Sequence, residues 1–148
     1  MVSASGNKNR RQKREDKKKK IEEEKSLQIE LEKYTVLNSW KPGVYVEGTT
    51  NKLTSTGFEV LIEEPTKERI YAVLNKLSKK DRTMKINIFS TRDAFEDLSN
   101  DLHSSDNVNS GYITSFTKSP NNPNGTITWM QETGKFKDLY GNKEDLLK

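Results

Sequence analysis

The stretch GFEVLIEEPTKERIYAVLNKLSKKDRTMKINIFS, residues 57–90, decides the fold. It opens on an alternation, with Phe58, Val60 and Ile62 on one face and Glu59 and Glu63 on the other, the period of a half-buried strand. Pro65 then fits the first turn of a helix, where its missing N–H costs nothing. Ile70, Val73, Leu74 and Leu77 follow at i, i+3, i+4 and i+7, a single apolar stripe. Lys76, Lys79 and Lys80 suit the negative end of that helix's dipole. Met84, Ile86 and Ile88 align again with period two, so a second strand is expected over 84–90. A strand–helix–strand unit of this length implies two parallel strands joined by a right-handed crossover.

Downstream, Ser90-Thr-Arg-Asp93 matches a helix N-cap with Asp at N3, and a short helix through Ala94, Phe95 and Leu98 is predicted. Residues 100–110 read as a polar loop. Residues 111–117 and 125–131 read as strands, joined antiparallel through a turn at Asn121-Asn-Pro-Asn-Gly125. Upstream, Val44 to Glu47 reads as a strand, followed by a connector rich in turn residues. From Glu15 to about Leu37 the composition favours helix, with Leu27, Leu31 and Tyr34 forming an apolar stripe only in its second half. The expected class is α+β: an N-terminal helix, then a mixed or antiparallel sheet of four or five strands with helices on one face. The organisation follows as a disordered basic tether (1–20), a helical spacer docking on the body (21–37), one α+β domain (38–135) and a polar C-terminal tail (136–148).

Charge sharpens that division. The 148 residues carry 26 Lys and Arg against 22 Asp and Glu. Residues 1–20 hold nine of the basic groups and two of the acidic ones, a net of +7, so the remainder is net −3. Only Met1, Val2 and Ala4 are apolar in the arm, too little to offset the entropy of ordering it. With 30% apolar residues and a mean hydropathy of −0.96, no segment approaches the length of a membrane-spanning helix. The sequence has no Cys, which removes disulfides, thiolate metal sites and thiol nucleophiles together.

Groups able to do chemistry are sparse. His103 is the sole imidazole and lies in a polar loop beside Ser104, Ser105 and Asp106, and neighbours along a loop do not assemble a triad. Asp93, Asp97 and Asp101 are spaced to share a helical face, but without the ligand-and-glycine spacing of a calcium loop. Glu63 and Glu64 are a second acidic pair. No glycine pattern of a phosphate-binding loop occurs. No catalytic, cofactor-binding or metal-binding residue is therefore expected, and the chain is read as non-enzymatic. The aromatic residues fall mostly in predicted elements and read as core. The groups expected to contact a membrane or another polyanion are Lys8, Arg10, Arg11, Lys13, Arg14, Lys17, Lys18, Lys19 and Lys20.

Val2-Ser-Ala-Ser5-Gly6 resembles the lipobox of small Gram-positive bacterial lipoproteins, with Ser5 where the lipidated Cys stands. The order beyond it, a Lys-rich tether, a helical spacer and a small cysteine-free domain, is also similar to that class. The chain departs from the pattern in having no apolar segment before the box and no Cys, as a form with Met1 added and Ser5 substituted would. The resemblance implies an extracytoplasmic protein anchored to the outer face of the cell membrane. Its basic tether would lie against anionic headgroups, and its domain would bind another protein at the bacterial surface. The alternative is a cytoplasmic nucleic-acid- or ribosome-associated protein, or a mobile-element inhibitor. Nucleic acid ranks lower as a partner, because the body is net acidic.

Overall fold

The structure, a computed structural model, describes residues 2–147; at 2–12 and 28–30 it describes the backbone and not the side chains. The chain divides into two compact units, residues 1–32 and 33–148.

The first unit is one helix, α1 (Val2–Leu31). It runs through residue 20, where composition changes from tether to spacer. From Lys13 to Leu27 every side chain is exposed. That exposed stretch gains nothing from core packing and depends on helix propensity. Its charges run basic first and acidic second, against the helix dipole.

The second unit holds strands β1 (Thr35–Trp40), β2 (Thr56–Leu61), β3 (Met84–Phe89), β4 (Tyr112–Ser119), β5 (Asn122–Trp129) and β6 (Lys143–Asp145). Helices α2 (Lys67–Ser78), α3 (Arg92–Ser99) and α4 (Asp106–Gly111) interrupt them. The sheet is six-stranded, in sequential order from β1 to β6. The α+β class and the mixed sheet agree with the sequence. The β2–β3 pair is parallel, as the strand–helix–strand unit requires, and every other neighbouring pair is antiparallel.

The strand count of four or five is corrected to six. Thr35-Val-Leu-Asn-Ser-Trp40 is an edge strand rather than the end of the spacer helix. Its side chains are exposed or half-buried, so no alternation marks it in the sequence. Residues 44–47, expected as a strand, form only a single bridge from Tyr45 to Lys52. Residues 136–148 are not merely a polar tail: Phe136 is buried, a 3₁₀ turn spans Lys137–Leu139, and β6 closes the far edge against β5.

α2 is built as its sequence dictates. Thr66 caps it by accepting from the Arg69 N–H at 3.1 Å, which places Pro65 just before the cap rather than inside the first turn. Ile70, Val73, Leu74 and Leu77 are buried against Val60, Ile62, Ile86, Ile88, Phe116 and Ile127. Each such side chain contributes about 1.5–3 kcal/mol by leaving water.

Helices on one face alone is also corrected. Phe89 follows Ile88 and therefore faces the opposite side of β3. There it packs with Ala94, Val108 and Tyr112 in a second cluster, built by α3 and α4. The α3 cap is Thr91, one residue after Ser90, and Ser105 caps α4 inside the stretch expected to be loop. The β4–β5 reversal falls at Pro120-Asn121, since Ser119 already pairs with Asn122.

Candidate interaction surfaces

The basic side chains singled out by sequence divide into two groups. Ser5, Lys8, Arg10 and Arg11 lie outside the described residues as side chains. Lys13, Arg14, Lys17, Lys18, Lys19 and Lys20 are all exposed on α1. At 100° per residue, Lys13, Arg14, Lys17, Lys18 and Lys20 fall within an arc of about 160°, with Glu15 and Asp16 outside it. The helix thus gathers five cations on one side over two turns. Ile21 and Leu27 are exposed, at 42% and 62%, and do not form an apolar stripe with this arc.

The residues with catalytic or metal-binding chemistry are dispersed. The His103 side chain is 67% exposed and lies 3.6 Å from the still more open Asp101. Asp101 takes a positive φ of 62° just beyond α3, so the Asp93, Asp97, Asp101 spacing does not continue as one helical face. Asp97 instead accepts hydrogen bonds from Ser105 Oγ at 2.8 Å and Asn107 Nδ2 at 3.1 Å, which ties α3 to the start of α4. No group of three His, Asp or Glu among the described residues is arranged to hold a metal ion. No helix among them is long and apolar enough to cross a membrane.

Two features of the body escape a reading along the sequence. The first is a polar sheet face. Asn38 pairs with Glu59, Glu59 with Asn87, Asn87 with Ser115, and Ser115 with Thr128, so one row of polar side chains crosses five strands. Asn38 Nδ2 donates to Glu59 Oε1 at 3.1 Å, and Tyr112 Oη donates to Asn87 Oδ1 at 2.8 Å. Burial holds the Tyr112 phenol above its ordinary pKa. Alternation across paired strands, rather than a local motif, is the signal that brings these residues together.

The second is the segregation of charge to opposite strand ends. Glu63 and Glu64 follow β2, and Asp93, Glu96 and Asp97 lie on α3, all at the C-terminal ends of the parallel strands. There Leu61, Glu63, Ser90, Thr91, Arg92 and Asp93 line a shallow cleft of about 400 Å³. At the other end lie Lys79, Lys80, Arg82 and Lys85, where α2 turns into β3. Lys118 reaches the same turn from β4, donating to the Ser78 carbonyl at 2.7 Å and the Asp81 carbonyl at 3.3 Å. Thr56 Oγ1 donates to Asp81 at 2.6 Å and the Arg82 N–H donates to it as well, which holds this carboxyl below the usual range. Residues 33–148 carry 16 basic and 15 acidic groups, so the acidic surplus outside the arm lies in the second half of α1, and the near-neutral body averages an acidic pole and a basic one.

Compared with family models, curated proteins and solved structures, the chain matches none.

Proposed function

We propose that this chain is a non-enzymatic binding protein of the bacterial cell envelope, held at the outer face of the membrane by its N-terminal segment. The observation that carries the reading is the exposed cationic arc of α1, formed by Lys13, Arg14, Lys17, Lys18 and Lys20. Lys and Arg near an anionic leaflet contribute about 1 kcal/mol each, and less as salt rises. Combined with a lipid at position 5, as the lipobox resemblance implies, this is a two-signal anchor of the kind that stable attachment needs. The body beyond Glu32 then presents its folded surface to a protein partner.

The same cations can neutralise nucleic-acid phosphates. The experiment that separates the two uses the full chain with phosphatidylglycerol vesicles and with random-sequence duplex DNA, at equal ionic strength. Saturable sedimentation with the vesicles, undiminished by competing DNA, is the expected result. Preferential capture by DNA, with vesicle binding abolished by it, would overturn the membrane assignment in favour of a nucleic-acid-associated protein.

A further inference from the structure

Between β1 and β2 the chain makes a finger that the core does not require. Gly43 N–H bonds to the Leu53 carbonyl at 2.8 Å, Leu53 N–H to Val44 at 2.8 Å, and Val46 N–H to Asn51 at 2.9 Å. Gly43 and Gly48 take φ of +86° and +74°, which turns the chain at the base of the finger and at its tip, where side chains are disfavoured. The finger is thus held by its own backbone, yet it leaves three consecutive apolar side chains in water. Val44, Tyr45 and Val46 are 52%, 57% and 43% exposed. Exposed single hydrophobic residues need no explanation, but a run of three on an ordered projection does.

Two lysines, one to either side, flank this run in sequence, and Glu47 follows it directly. Lys41 stands exposed at its base, and Lys52 Nζ sits 5.1 Å from the centre of the Tyr45 ring. The root of the finger is also the basic pole. Thr56, where the finger rejoins the sheet, donates its N–H to Thr83 and its hydroxyl to Asp81, the turn that carries Lys79, Lys80 and Arg82. Apolar side chains projecting among Lys and Arg complement an anionic bilayer: hydrocarbon enters the headgroup region while the cations stay beside the phosphates.

We propose that the finger and the basic pole form a second membrane contact, on the body itself, which seats Val44, Tyr45 and Val46 in the headgroup layer of an anionic bilayer. The proposal rests on the reading that the chain works at a membrane, but it concerns residues distinct from the arm. It assigns the body an orientation at the surface, with the acidic pole directed away from the lipid.

The sequence has no Cys, so Tyr45→Cys and, separately, Ser104→Cys in the full chain each provide one attachment point for a polarity-sensitive fluorophore. Vesicles of equal parts phosphatidylglycerol and phosphatidylcholine should shift the emission at position 45 to the blue and leave position 104 unchanged, and phosphatidylcholine alone should shift neither. Adding Lys79→Glu, Lys80→Glu and Arg82→Glu should raise the lipid concentration for half-maximal shift by roughly tenfold or more. With Lys17, Lys18, Lys19 and Lys20 replaced by Gln, the shift at 45 should persist at higher lipid. Sedimentation with vesicles while position 45 stays unshifted would overturn the body contact and leave the arm reading intact. A shift at 45 whose lipid dependence is unaltered by the arm substitutions would keep the body contact and contradict the arm. A shift produced by duplex DNA and not by vesicles, or no sedimentation at all, would contradict both.

Discussion

Tyr71 Oη donates to Glu144 Oε1 at 2.6 Å, joining α2 to β6 across 73 residues of sequence. The bond explains how a strand of sequence Lys-Glu-Asp, with no apolar face, is held at the edge of the sheet. Partial burial, then the hydrogen bond to Glu144 and its negative charge, push the Tyr71 phenol up to about 12. An unfolded tyrosine ionises near 10, so the native state keeps a proton that the unfolded state loses. The contribution of this group to stability is therefore fully present below pH 10 and lost as pH rises towards about 12. Tyr71→Phe should cost about 1 kcal/mol at neutral pH, the scale of a partly exposed hydrogen bond. The difference in Tm between parent and variant should narrow as pH climbs through that window; a constant difference would show that the bond is not what the ring contributes.

Gly125 has φ +71° inside β5, and a Cβ there would lie 2.3 Å from the Phe116 ring. The ring of a core residue thus rests on backbone that must stay bare. Gly125→Ala should lose about 1–2 kcal/mol from left-handed backbone alone, and more from the displaced ring. Combining it with Phe116→Leu should cost less than the sum of the two single changes in denaturant unfolding. Additive losses would mean that the ring and the glycine are not in contact.

Thr114 is fully buried, and its hydroxyl finds no hydrogen-bond partner among the described residues. An unmatched buried hydroxyl costs about 1–3 kcal/mol, and valine fills nearly the same volume. Thr114→Val should raise the denaturation midpoint by an amount equivalent to about 1 kcal/mol, at unchanged m-value. A lowered midpoint would place a partner on that oxygen.

The elements legible in the sequence are those whose burial is one-sided and local. Val60 and Ile62 alternate, Ile70 to Leu77 keep a helical period, and the sheet places both against one core. β1 is hidden because Leu31, Tyr34 and Leu37 extend a helical spacing into a strand whose exposed edge imposes no pattern. α4, Asp-Asn-Val-Asn-Ser-Gly, buries only Val108 and Gly111, too few positions to show a period. β6 has no apolar face and is fixed by backbone pairing to β5 and by the bond from Tyr71 to Glu144, neither of which leaves a local pattern. The cationic arm is legible because its charges are contiguous. The two poles and the finger are not, because Thr56 at the foot of the finger meets Asp81 and Thr83 only after the parallel β2–β3 pair has formed. A sum over the body conceals that separation.

On the proposed reading, the cations of α1 hold the chain to an anionic membrane. Its most direct test is the vesicle partition coefficient of the parent and of a variant with Lys17, Lys18, Lys19 and Lys20 changed to Gln, in low salt. At about 1 kcal/mol per cation near the surface, the variant should lose roughly 100- to 1,000-fold on phosphatidylglycerol-containing vesicles. Binding to phosphatidylcholine alone should be weak and unchanged. Equal partitioning of parent and variant on the anionic vesicles would contradict that reading.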